Sequence, residues 1–191
     1  MKFAKPVFAV LLILGLFACA KPPQAEIDAA KAAVAKAAAA SDVVTYAPEA
    51  LARAQDALSR MQTELTAKHY DKVKTLALEA SAAAAKALTD AVAAKEKVKA
   101  DATALIAAMK KAFPEAEKTV NAAKRIPRTG LDFAALAKAL TGAKASLAEA
   151  DADLAKGSFM AALNKASAVQ TTLADSQKKV ADAVQAATKK K

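Results

Sequence analysis

The chain has 191 residues, 58 of them alanine, and carries 29 basic against 19 acidic side chains for a formal net charge of +10. Four glycines, six prolines, no tryptophan and 4% aromatic residues exclude collagen-like, Pro/Gly-rich disordered and aromatic-rich β designs. One histidine and one cysteine leave nothing for a zinc site, a disulfide scaffold or a Cys–His pair. Alanine removes little apolar area per residue, so the core it builds is thin and close-packed. The composition predicts an all-α protein with no metal, no cofactor and no catalytic residue.

The first element is an address. Lys2 and Lys5 give a basic start, and Val7 to Ala18 form an unbroken apolar run. Twelve helical residues reach about 18 Å, short of a hydrocarbon core of about 30 Å, so the run reads as a signal h-region and not a membrane span. It ends Leu16-Phe17-Ala18-Cys19, which resembles the lipobox of bacterial lipoproteins: leucine three residues before the cysteine and a small residue just before it. Phe17 departs from the small or aliphatic residue usual in that motif. The resemblance implies cleavage between Ala18 and Cys19, with the Cys19 thiol accepting a diacylglyceryl group and the new amino terminus a further acyl chain. A single chain gives marginal membrane binding, whereas two or three hold stably. Ala20 in place of aspartate suggests the outer membrane, with the body on the periplasmic face. Export also speaks against nucleic acid as a partner.

Cleavage leaves 173 residues with 27 basic and 19 acidic side chains. Residues 19–23 are the acylated cysteine and the stiff spacer Lys21-Pro22-Pro23. Gln24 to Ala40 is a helix by propensity, while Ser41 to Thr45 lowers that propensity. Pro48-Glu49 restarts the helix, proline suiting its first position and glutamate its positive end. Leu51, Ala54, Leu58, Met61 and Leu65 then recur at helical spacing, and the helix stops near Lys68-His69-Tyr70. A second stripe opens at Val73 and continues through Leu76, Ala80, Leu88 and Val98 to Met109. Residues 24–112 are thus read as an N-terminal helix followed by a first helical hairpin.

Phe113-Pro114 should break or kink that helix, leaving 113–130 as a short helix and a basic loop. Thr129 is the expected cap before the second hairpin, 131–187. Leu136, Leu140, Ala143, Leu147 and Leu154 supply its first stripe. Gly157 and Ser158 turn the chain, and residues 188–191 form a lysine tail.

An offset of 89 residues superposes the two hairpins. Leu51, Ala54, Leu58, Leu65, Tyr70 and Ala77 fall on Leu140, Ala143, Leu147, Leu154, Phe159 and Ala166, with an aromatic just past each turn. The expected fold is therefore an elongated antiparallel bundle of two helical hairpins.

Cys19, the alanine-lysine helix, Tyr46-Ala47-Pro48-Glu49, Leu51-Ala52-Arg53-Ala54, Tyr70 and Leu76-Ala77 follow one another in an order that resembles the domain-of-unknown-function family 4398, over residues 19–90. The resemblance implies a helical, lipid-anchored envelope protein and brings no catalytic residue. Glycine often precedes the aromatic in that family, whereas Lys68-His69 stands here.

Among candidate sites, the lone His69 beside Tyr70 and Asp71 reads as a turn residue, and Asp151 and Asp153 point to different faces. Lys124, Arg125 and Arg128 around Pro127 form a compact basic cluster, a candidate anion-binding loop. The chain also resembles murein lipoprotein in joining an N-terminal lipid and alanine-rich helices to a terminal lysine, which makes Lys191 a candidate peptidoglycan link. Alanine stripes let helices approach closely and must be covered, by the chain itself or by a partner. The expected function is a structural or protein-interaction role in the envelope, through a protein partner or self-association. Its alternatives are a peptidoglycan tether and a carrier of lipidic or anionic ligands.

Overall fold

The computed structural model describes residues 21–189, and the regular secondary structure among them is all helical: α1 (Gln24–Ala39), α2 (Ser41–Tyr46), α3 (Pro48–Thr66), α4 (Tyr70–Ala123), α5 (Phe133–Ala155) and α6 (Phe159–Lys189). The chain divides into two compact units, Met1–Ala91 and Val92–Lys191. The boundary falls inside α4, so one 54-residue helix supplies its first part to one unit and its second part to the other. Each unit holds one of the two expected hairpins plus a further helix.

In the first unit the hairpin is α3 with the beginning of α4. Ala50, Ala54, Ala57 and Met61 of α3 are buried with Val73, Ala77, Ala80, Ala84 and Ala87 of α4. The third helix is α1, whose Ile27, Ala30, Val34 and Ala37 complete the same core. Alanine lines most of this interior, so the helices approach closely and the larger Ile27, Val43, Met61 and Val73 fill what remains.

The stretch expected to lose helicity, Ser41 to Thr45, instead forms α2. Val43 is 1% exposed there, and burial outweighs the weak propensity of Ser, Asp, Val and Thr. Ala40 before it is extended, and Ala47 after it leaves the helical region at φ −138°. The Pro48 ring disfavours helical geometry in the residue that precedes it, which favours the step from α2 to α3 at Ala47.

In the second unit α5 and α6 form the hairpin. Leu136, Leu140, Ala143, Leu147 and Ala150 face Ala162, Ala166, Val169, Leu173 and Val180. The third helix is the end of α4, which buries Ala102, Ile106, Met109, Phe113, Ala116, Val120 and Ala123 at alternating spacings of four and three.

That unbroken stripe explains why the expected break at Pro114 does not occur: α4 runs through it to Ala123. Proline removes the donor for the Lys110 carbonyl and costs a helix interior about 3 kcal/mol. Pro114 lies on the exposed face, where water reaches the orphaned carbonyl, while Phe113 and Ala116 on either side stay buried. Residues 113–123 are therefore the last turns of α4 and not a separate helix. The basic loop begins at Lys124.

The cap of α5 also differs from expectation. Asp132, and not Thr129, is the N-cap, its Oδ1 accepting from the Ala135 N–H at 2.9 Å. Arg128 at φ +63° and Gly130 at φ +67° bring the chain round before it.

The internal repeat extends further than its leucines. Val73, Ala77, Ala80, Ala84, Ala87 and Ala91 are buried, and an offset of 89 places them on Ala162, Ala166, Val169, Leu173, Ser176 and Val180, all buried too. The turns match bond for bond. The His69 N–H donates to the Glu64 carbonyl at 3.0 Å and the Lys68 N–H to Leu65 at 3.0 Å. At the second turn, Ser158 donates to Asp153 at 2.8 Å and Gly157 to Leu154 at 3.1 Å. Both are Schellman motifs with a left-handed residue at the same step, Lys68 at φ +60° and Gly157 at φ +80°.

Candidate functional site

Cys19, Ala18 and Lys191 lie outside the described residues. The remaining candidate, the basic loop, is described in full. Lys124, Arg125 and Arg128 are exposed. The loop stays close to the end of α4, since Arg125 donates its N–H to the Ala122 carbonyl and Ile126 to that of Ala123, both at 3.1 Å. The C-terminal end of a helix carries the negative pole of its dipole, which favours cations at this position.

The fold gathers around this loop residues that adjacency in sequence does not reveal. Lys124 shares a groove of about 380 Å³ between α4 and α5 with Lys144, Asn121, Thr141 and Glu117. A second groove, of about 270 Å³, sets Leu131 and Asp132 at the start of α5 against Asp175 and Lys179 of α6. The loop, the start of α5 and the later turns of α6 thus share one end of the second unit. Counting charges by unit exposes the asymmetry. Residues 21–91 hold 9 basic and 9 acidic side chains, whereas 92–191 hold 18 and 10.

Elsewhere many charges are paired across helices. In the first unit Arg60 bonds Glu79 between α3 and α4, and Lys74 reaches Glu26 of α1 at 3.5 Å. Glu64 takes His69 Nδ1 at 2.6 Å and Lys72 at 3.5 Å, and these contacts hold its carboxyl below the usual carboxylate range, the His69 hydrogen bond contributing most. His69 follows the Schellman turn and is exposed, as its reading as a turn residue implies.

In the second unit Asp151 pairs with Lys110 of α4, while Asp153 faces Lys165 of α6 at 2.8 Å. The two carboxylates do point to different faces. Glu149 also meets Lys165, at 3.0 Å, and the two hydrogen bonds, led by that of Asp153, push the Lys165 ammonium above its ordinary range.

A groove of about 630 Å³ in the first unit runs between α3 and α4 and is floored by Ala50 and Ala83. Arg53, Asp56, Arg60, Glu79 and Lys86 rim it with both signs of charge. Arg60 joins Asp56 and Glu79 there, and Lys86 joins Asp90. Such a rim offers neither an isolated acid/base pair nor a field of one sign.

Among the described residues no group of three metal-ligating side chains converges, and no helix is long and apolar enough to cross a membrane. The apolar stripes are covered within each unit, so the described core does not itself demand a partner helix. Among the described residues, Val44, Leu78 and Val92 are the exposed large hydrophobic side chains, more than half accessible and well separated in sequence.

The fold is all-α, each unit an antiparallel hairpin completed by further helix: α1 with the short α2 in the first, the end of α4 in the second. Residues 25–105 match a family model described as Domain of unknown function (DUF4398). The resemblance read from the feature order around Tyr46-Ala47-Pro48-Glu49 and Tyr70 is therefore borne out, and the match continues along α4 beyond the stretch expected. No curated protein and no solved structure matches the chain.

Proposed function

We propose that the chain is a lipoprotein of the bacterial envelope, anchored through Cys19 in the outer membrane with its helical body in the periplasm, and that its role there is structural or interaction-based: a spacer, scaffold or accessory subunit. The observation that carries this is the position of the only cysteine, directly after an apolar run of signal length and the residues Leu16-Phe17-Ala18. A thiol at that place is the nucleophile that lipid transfer requires.

The body supports a non-enzymatic reading. Its described grooves are open, its helix–helix contacts are alanine-lined, and several of its charged side chains pair across helices. A catalyst needs a concave site with a perturbed acid, base or nucleophile. Glu64 and Lys165, whose titration is shifted, belong to ion pairs beside the hairpin turns.

Labelling growing cells with palmitate tests the anchor. The wild-type chain takes up label and fractionates with membranes, and Cys19→Ser abolishes both. A wild-type chain that stays unlabelled and moves with the soluble fraction overturns the reading.

A further inference from the structure

We infer that the end of the second unit formed by the α4–α5 loop and the later turns of α6 is a docking surface for an anionic bilayer, engaging the phosphates of lipid headgroups. The basis is independent of the acyl anchor. The unit boundary leaves the first unit, from residue 21, electrically balanced and gives the second an excess of eight positive charges.

Within the second unit the fold brings six of these cations together at one end. Lys124, Arg125 and Arg128 project from the loop, Lys144 shares the groove beside Lys124, and Lys178 and Lys179 come from the adjoining stretch of α6. All six are exposed, and none takes part in an ion pair among the described residues. The acids nearby are fewer: Glu117 in the Lys124 groove, Asp132, Asp175 and Asp182. Asp132 is engaged as the helix cap.

The shape of this end selects the partner. Its grooves are small and open, so they do not enclose a discrete ligand, while the loop presents its cations outward. A plane of phosphates meets such an end at many points at once, and Arg125 and Arg128 can each hold a phosphate through two N–H groups. Phe113 and Phe133, the aromatic residues of this end, are at least partly buried, which removes the stacking platform that single-stranded nucleic acid uses. Ile126, half-buried between Arg125 and Pro127, is too little exposed to act as a membrane-inserting wedge. Attraction to the surface is therefore electrostatic and screened by salt.

The test uses the full chain reconstituted in phosphatidylcholine nanodiscs and mixed with dye-labelled vesicles, floated on a density gradient. Vesicles of phosphatidylcholine containing phosphatidylglycerol are captured about tenfold more than pure phosphatidylcholine vesicles, and the difference shrinks as salt is raised. The triple variant Lys124→Gln, Arg125→Gln, Arg128→Gln loses that preference. Lys31→Gln, Lys36→Gln, Arg53→Gln, an equal charge change in the first unit, retains it. Circular dichroism checks that both variants keep the wild-type helicity. Equal capture of neutral and anionic vesicles overturns the inference, as does an equal loss in the two triple variants. Retention of the chain by isolated peptidoglycan sacculi or duplex DNA without vesicle capture also overturns it, in favour of a polymer.

Discussion

Lys68 and Gly157 stand at the same step of two superposable turns, both left-handed, and only one of them is glycine. A side chain in that conformation costs about 1 kcal/mol that glycine avoids. Nothing lies within 4 Å of a Cβ built on Gly157, so backbone strain alone sets the penalty there. Lys68→Gly should stabilise the chain by about 0.5–1 kcal/mol in denaturant unfolding, and Gly157→Ala should destabilise it by about 1 kcal/mol. The ion pairs beside these turns fail at opposite ends of the pH scale. Glu64 titrates below its ordinary value of 4.5, so its contribution is full above that pH and is lost as pH falls through the lowered folded value. Lys165 titrates above its ordinary 10.5, so its contribution is full below that pH and is lost as pH rises through the raised value. Glu64→Gln should flatten the acid limb of the stability profile and Lys165→Gln the alkaline limb, as read by thermal melting across pH. Unchanged limbs would show that these pairs add nothing to stability.

At the scale of elements, the hairpins were legible because their signals are local. Gly157, the aromatics Tyr70 and Phe159, and leucines at helical spacing all act within a few turns of themselves. What could not be read depended on packing. Pro114 carries the same local signal whether or not its neighbours are buried, and only the stripe from Ala102 to Ala123 against α5 and α6 decides that α4 continues. Val43 likewise draws a weak sequence into α2. Pro114→Ala returns a donor to the Lys110 carbonyl and should stabilise the chain by about 1–3 kcal/mol, whereas Asp132→Ala removes the cap of α5 and should cost about 1 kcal/mol. Both are read by chemical denaturation. A destabilising Pro114→Ala would mean that the helix at this point needs the proline.

For the molecule as a whole, two facts of the sequence acquire meaning only with the unit boundary. The long stripe after Val73 is not one face of one hairpin: its first part closes the first unit and its second part supplies the third helix of the other. The basic excess lies in the later part of the chain, and the unit boundary assigns it to the second unit. Lys124, Arg125 and Arg128 were visible as a cluster because they are adjacent in sequence, but Lys144 and Lys179 join them only through the antiparallel return of α5 and α6. The reading of the chain as an envelope lipoprotein rests on the chemistry of one residue, and mass spectrometry of the amino-terminal peptide from the purified native protein tests it most directly. The account predicts a chain that begins at Cys19 with a diacylglyceryl thioether and an acylated amino group. A peptide with a free Cys19 thiol, or a chain beginning at any other residue, contradicts it.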